Sequence, residues 1–256
     1  MSFIITIHTY EGVVMAADSR LTLNTKVPVA GGTRDLSIQF SNATRKLFST
    51  RRGVGISTCG DAGIKGNPIA GYLMQFALEH PTDEPEQLAR KLTPFLKVLN
   101  PSLDATFHVS GYDNAGVQYV ARVFTFDGSV RPIDTSIQGV IWNGELDVMQ
   151  RLLNEVWEAD ASGMPAGKLP RYTIPWNYFS LQDAVDFAKF AMETTIGAIR
   201  FQDRPKTVGG PVDVLVLKRN GGEWIQRKSL GYRSGRTTSA MVDGEGSVAE
   251  VTAGDT

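Results

Sequence analysis

Few residue types in this chain are arranged to do chemistry by themselves. A single cysteine, Cys59, excludes an internal disulfide and a multi-cysteine zinc site. The three histidines, His8, His80 and His108, are scattered without metal-ligand spacing, so neither a metal nor another cofactor is expected. Gly60-Asp61-Ala62-Gly63-Ile64-Lys65-Gly66 has glycines spaced superficially like a phosphate loop. It lacks the Gly-Lys-Ser/Thr ending and the dinucleotide-binding context, which argues against a nucleotide. His8, Asp18 and a serine could compose a hydrolytic triad, but nothing in the sequence brings them together, and His8 reads as a strand side chain. Taken singly, Asp18 is an ordinary turn residue after an apolar strand, and Lys46 an ordinary strand end. The acidic group Asp83, Glu84 and Glu86 reads as the charge set of a helix end.

The elements that must position such residues follow from periodicity. Ser2 to Thr9 is rich in β-branched residues, and Tyr10-Glu11-Gly12 turns the chain into Val13-Val14-Met15-Ala16-Ala17, which predicts a hairpin. Leu21 to Thr44 is polar, carries Pro28, Gly31 and Gly32, and is expected to be a long loop. Lys46 to Thr50 and Val54 to Cys59 read as a second strand pair. Helical spacing then takes over from Asp61 to about Glu79 and again from Pro85 to Leu99. Strands return at Thr106 to Tyr112 and Val117 to Phe126, and the apolar stretch Ile137 to Trp142 precedes a predicted helix from Glu145 to about Glu158. Asp160 to Trp176 is expected to be a loop. Ser180, with Asp183 three residues on, predicts a capped helix to about Arg200. Val212 to Lys218 and Trp224 to Lys228 form a closing hairpin.

Strands, two helices, strands, two helices, strands is the order of an α+β protein. Two antiparallel sheets facing each other, with helices outside each, would bury every apolar face; that is a four-layer α-β-β-α sandwich. Residues 2 to 230 read as one domain, and 231 to 256 as a mobile Ser/Thr/Gly-rich tail. With 256 residues, 42% hydrophobic and 21% charged, the chain can build a core of ordinary size. A formal charge of −1 gives no electrostatic reason to expect nucleic acid or an anionic membrane as partner. No stretch approaches the roughly 20 apolar residues of a membrane helix. A soluble, cytoplasmic protein is expected.

Gly12-Val13-Val14-Met15-Ala16-Ala17-Asp18-Ser19-Arg20 resembles the opening of proteasome β subunits, which are N-terminal-nucleophile hydrolases. Counting back from Asp18, the place of that family's nucleophile falls on Ser2. Lys46, in Arg45-Lys46-Leu47-Phe48, matches the family's catalytic lysine, and Gly60 falls at its oxyanion-hole glycine. Gly209-Gly210-Pro211-Val212-Asp213-Val214 is similar to the family's late glycine pair and strand. About a dozen residues are inserted between Asp18 and Lys46. Two departures concern supporting groups. Gly144 is followed by Glu145 where a serine is usual, and Pro205 and Val208 stand where an Asp and a Ser are usual; Asp203 or Glu145 is the available substitute.

The resemblance implies peptide hydrolysis without histidine. A serine hydroxyl needs a base within hydrogen-bond reach. If Met1 is removed, the α-amine of Ser2 can serve, because such an amine titrates near pH 7.7–8.0. Lys46 would lower the pKa of hydroxyl and amine, Asp18 would orient Lys46, and the Gly60 amide would donate to the oxyanion. The family further implies a homo-oligomeric ring acting on peptides or unfolded protein. The alternatives are a non-catalytic scaffold subunit with a decayed site, or an amidohydrolase for a small amide.

Overall fold

The computed structural model describes residues 2–29, 31–170 and 173–228. In chain order, β1 (Phe3–His8) and β2 (Val13–Ala17) lead into a long hairpin of β3 (Leu21–Val29) and β4 (Gly32–Ser41). Next come β5 (Leu47–Ser49), β6 (Gly55–Gly60) and the short pair β7 (Gly63–Ile64) and β8 (Asn67–Pro68). Helices α1 (Ile69–Glu79) and α2 (Pro85–Leu99) follow. Strands β9 (Ala105–Tyr112), β10 (Gln118–Phe124), β11 (Val130–Pro132) and β12 (Gly139–Gly144) precede helix α3 (Asp147–Leu153). The small pair β13 (Trp157–Ala159) and β14 (Pro165–Lys168) leads to α4 (Leu181–Phe201), β15 (Asp213–Lys218) and β16 (Gly221–Gln226).

Two five-stranded antiparallel sheets organise these elements, one in the order β12-β1-β2-β15-β16 and the other β11-β10-β9-β6-β5. The reason lies in the strand sequences. Successive side chains of a strand face opposite sides, so a strand that is apolar at every position needs cover on both faces. Phe3, Ile5 and Ile7 of β1, Val14 and Ala16 of β2, and Val214 and Val216 of β15 pack with Ala184, Ala188 and Met192 of α4. Ile4, Val13, Met15, Leu215 and Leu217 point the other way and pack with Leu47, Cys59 and Val120. Those last three belong to β5, β6 and β10 of the second sheet. The outer face of that sheet, with Ile56, Phe107, Val109 and Val123, is covered by Leu73 and Phe76 of α1 and Leu88, Leu92 and Leu96 of α2. The molecule is thus a mixed α+β fold built on antiparallel sheets.

Capping chemistry sets two of the helices. Ser180 Oγ accepts the Asp183 amide at 3.1 Å while Asp183 returns to the Ser180 amide at 2.9 Å. Glu84 and Gln87 make the equivalent exchange at α2, with Pro85 at its first turn. The small residues Ala184, Ala188 and Ala191 let α4 lie close on β1 and β2.

Several expectations are corrected. The expected loop from Leu21 to Thr44 is mostly the β3–β4 hairpin, paired from Leu21–Ser41 out to Val29–Gly32. The first helix begins at Ile69, because residues 63–68 form β7 and β8 instead. The third helix ends at Leu153, and the expected loop from Asp160 contains β14. The tail expected beyond residue 230 lies outside the described residues.

Candidate active site

β1 begins at Phe3, so Ser2 stands at the open end of a strand hydrogen-bonded on both sides, to β12 and to β2. Ser2 is buried, and its carbonyl accepts the Glu145 amide at 2.8 Å. The neighbouring Gly144 leaves no alternative to glycine. Its φ is +95°, and a Cβ there would sit 1.8 Å from the Ser2 carbonyl oxygen.

Asp18 follows directly from β2, whose partner is β1. Its carboxylate is fully buried and receives four donors. Oδ1 accepts the Phe3 amide at 3.1 Å and Lys46 Nζ at 2.8 Å, and Oδ2 accepts the amides of Arg20 at 3.0 Å and Gly209 at 3.1 Å. A carboxylate has about four lone-pair sites, and here every one has a donor. One side chain therefore ties together the first strand, the lysine and the late glycine pair.

Lys46 immediately precedes β5 and is 4% exposed. Burial pushes its amine below the ordinary lysine value; the Asp18 carboxylate works against that shift, and the Lys228 charge adds to it. Lys228 is itself held behind the site. Its ammonium bonds Ser19 Oγ at 2.6 Å and pairs with the buried Asp213 carboxylate.

Ser2, Lys46, Cys59 and Gly60 line one narrow crevice. Beside it opens a cavity of about 270 Å³, bounded by Ser2, Arg20, Leu21, Leu23, Gly60 and Ala62 among others. Gly60 has φ +100°, and a Cβ on it would lie 2.6 Å from the Asp104 carbonyl oxygen. Of the candidate residues, the structure therefore brings Ser2, Asp18, Lys46 and Gly60 together.

The two supporting candidates are placed differently. Glu145 lies next to Ser2, but its carboxylate is engaged elsewhere: Oε1 accepts Arg204 Nη1 at 2.8 Å and Oε2 accepts Thr207 Oγ1 at 3.0 Å. Arg204 also pairs with Asp147 at 3.1 Å. Asp203 is exposed, with no hydrogen bond or ion pair of its side chain among the described residues, and lines neither the crevice nor the cavity. Sequence reasoning missed Arg204, Thr207, Ser19, Asp213 and Lys228. Ser19 and Asp213 stand inside the two stretches that carry the resemblance, and Thr207 stands beside the glycine pair; Arg204 and Lys228 had no such signal.

The cysteine and two of the histidines are held in other ways. Burial pushes the Cys59 thiol up to about 12, which leaves it protonated beside Lys46. His8 bonds the Ile137 carbonyl at 2.9 Å rather than Asp18. His108 is fully buried between Thr6 Oγ1 and Asn143 Oδ1, each at 2.9 Å, and burial pushes it down to about 3. Among the described residues no group of three or more His, Cys, Asp or Glu side chains could hold a metal ion, and no helix is long and apolar enough to cross a membrane.

No family model matches the chain, and no curated protein does. Among solved structures, the chain is similar in fold to the Anbu (Gly-1) mutant from Hyphomicrobium sp. strain MC1. The TM-score is 0.57 at 14% sequence identity, over 89% of this chain and 86% of that one. At that identity the likeness is one of fold.

Proposed function

We propose that this chain is a proteasome-like N-terminal-nucleophile hydrolase that cleaves peptide bonds with Ser2 after loss of Met1. The reading takes residues 2–230 as one domain in a four-layer α-β-β-α sandwich, consistent with apolar clusters between the sheets and under the helices on each outer face. The observation that carries it is the Asp18 carboxylate, bonded at once to the Phe3 amide beside the nucleophile and to Lys46. In the proposed reaction the freed α-amine takes the Ser2 hydroxyl proton, and Ser2 Oγ attacks the peptide carbonyl. The Gly60 amide stabilises the oxyanion, a contribution of about 3–4 kcal/mol. The amine returns its proton to the leaving amine, and water clears the acyl-enzyme. Assembly into a homo-oligomeric ring is part of the proposal.

The test is intact mass after exposure to an electrophile that must bridge an adjacent hydroxyl and amine. Loss of Met1 with one adduct, absent in Ser2→Ala, is the expected result. Retained Met1 without an adduct overturns it.

A second reading, a non-catalytic scaffold subunit, is favoured by one observation. Glu145 occupies the place of the usual supporting serine, and its carboxylate is committed to Arg204 and Thr207.

A further inference from the structure

A larger cavity, of about 430 Å³, lies between β5, α1 and β16, separate from the cavity beside Ser2. Its apolar lining includes Leu47 and Phe48 of β5, Ala77 and Leu78 of α1, and Trp224 of β16. Three arginines are among its lining residues: Arg45, Arg51 and Arg227. Among the described residues none of the three is paired with a carboxylate. Arg45 reaches only the Met74 sulfur at 3.6 Å, and the Arg227 guanidinium carbon lies 4.7 Å from the Trp224 ring centroid.

Unpaired guanidiniums also occur elsewhere: among the described residues Arg122, Arg151, Arg200 and Arg219 have no carboxylate partner within 4 Å, though they do not share one cavity. Arg90, Arg131 and Arg204 each have an acidic partner within 3.1 Å. What sets this place apart is the grouping: three arginines and no acidic residue line one apolar hollow. The chain as a whole is close to neutral.

We infer that this cavity is a binding site for a small amphipathic carboxylate, with an aromatic or short aliphatic body against Phe48, Leu78 and Trp224 and its anionic end among Arg45, Arg51 and Arg227. The volume falls in the range of about 300–1,000 Å³ usual for small-molecule sites, which are mostly apolar with a few converging charges. Planar guanidiniums match a carboxylate in geometry, and hydrogen bonds between ionised partners are about twice as strong as neutral ones. The body of such a ligand also completes the cover of Leu78, now 77% exposed. The inference does not depend on what Ser2 does.

The experiment is calorimetric titration of the full chain with 4-phenylbutyrate, with 4-phenylbutan-1-ol and 4-phenylbutylamine as neutral and cationic ligands of the same body. Trp224 fluorescence and sedimentation are followed on the same samples. The expected result is saturable one-to-one binding of the carboxylate, weakened about tenfold or more in the alcohol and in the double variant Arg51→Ala, Arg227→Ala, and absent for the amine. Both arginines are exposed, so that variant is expected to fold. Equal binding of all three ligands would make the hollow a general apolar patch and overturn the inference. Unchanged affinity in the double variant, or no saturable binding, also overturns it. A change of sedimentation in the double variant without carboxylate binding does so too, by assigning the arginines to a contact between copies.

Discussion

Replacing Asp18 with asparagine changes one atom in size but half of the donor and acceptor pattern. The amide oxygen can accept two of the four donors that now converge on the carboxylate; the NH₂ accepts none. If the oxygen stays with Lys46 and Phe3, the new NH₂ faces the amides of Arg20 and Gly209, donor against donor. Flipping the amide moves the same conflict to Phe3 and Lys46. In either orientation the buried Lys46 loses its anionic partner. Removing one member of a buried pair costs about 3–5 kcal/mol, and an unsatisfied buried donor about 1–3 kcal/mol more. These costs overlap, because Lys46 can shed its proton: the Asp18 charge is the main influence opposing burial there. The expected loss is about 3–5 kcal/mol by urea unfolding at pH 7. Ser2 reactivity in the folded fraction should fall with it. A loss below about 1 kcal/mol, with Ser2 labelling unchanged, would refute the view that Asp18 ties the site together.

Gly144→Ala should destabilise more than an ordinary surface glycine replacement, since its Cβ meets the Ser2 carbonyl at 1.8 Å. Gly128→Ala is the control, with a similar positive φ but open space; thermal unfolding of both variants checks the difference. His108 carries a pH prediction. Its folded value of about 3 lies below the ordinary 6.5. Its contribution to stability is therefore present above pH 6.5 and lost as pH falls toward the folded value. Between pH 6.5 and pH 5 the loss is about 2 kcal/mol, and denaturant unfolding of His108→Gln should lack it. Cys59, buried and with its thiol at about 12, should resist iodoacetamide at pH 8 in the native protein and label at once in urea; native labelling would contradict its burial.

Much of the fold is legible because its strands declare themselves. β1, β2 and β15 are apolar at nearly every position, which requires two covered faces, and the helical spacing of α2 and the Ser180 cap are local signals. The β3–β4 hairpin was not legible for the opposite reason. Its apolar residues, such as Leu23, Ile38 and Phe40, remain exposed, so they mark no core face, and Pro28 and the Gly31-Gly32 pair read as loop. At the candidate site, Asp18 and Lys46 are singled out by the resemblance of their surrounding motifs, since each taken alone reads as an ordinary strand end. Glu145 lies 59 positions from Arg204 and 62 from Thr207, and Lys228 lies 209 positions from Ser19, although only 15 from Asp213. Only the folded register of β12, β15 and the segment after α4 makes them neighbours.

Strand β1 has a consequence in time. Its backbone is bonded on both edges and every side chain is buried, so no small fluctuation can open it. Its amides should exchange with solvent only when the whole protein unfolds. Because Ser2 is attached to that strand, its position is as long-lived as the native state itself. Denaturant should then abolish Ser2 labelling at the midpoint of global unfolding, with no earlier phase. A molecule built in this way has no separate clock for the end that carries Ser2.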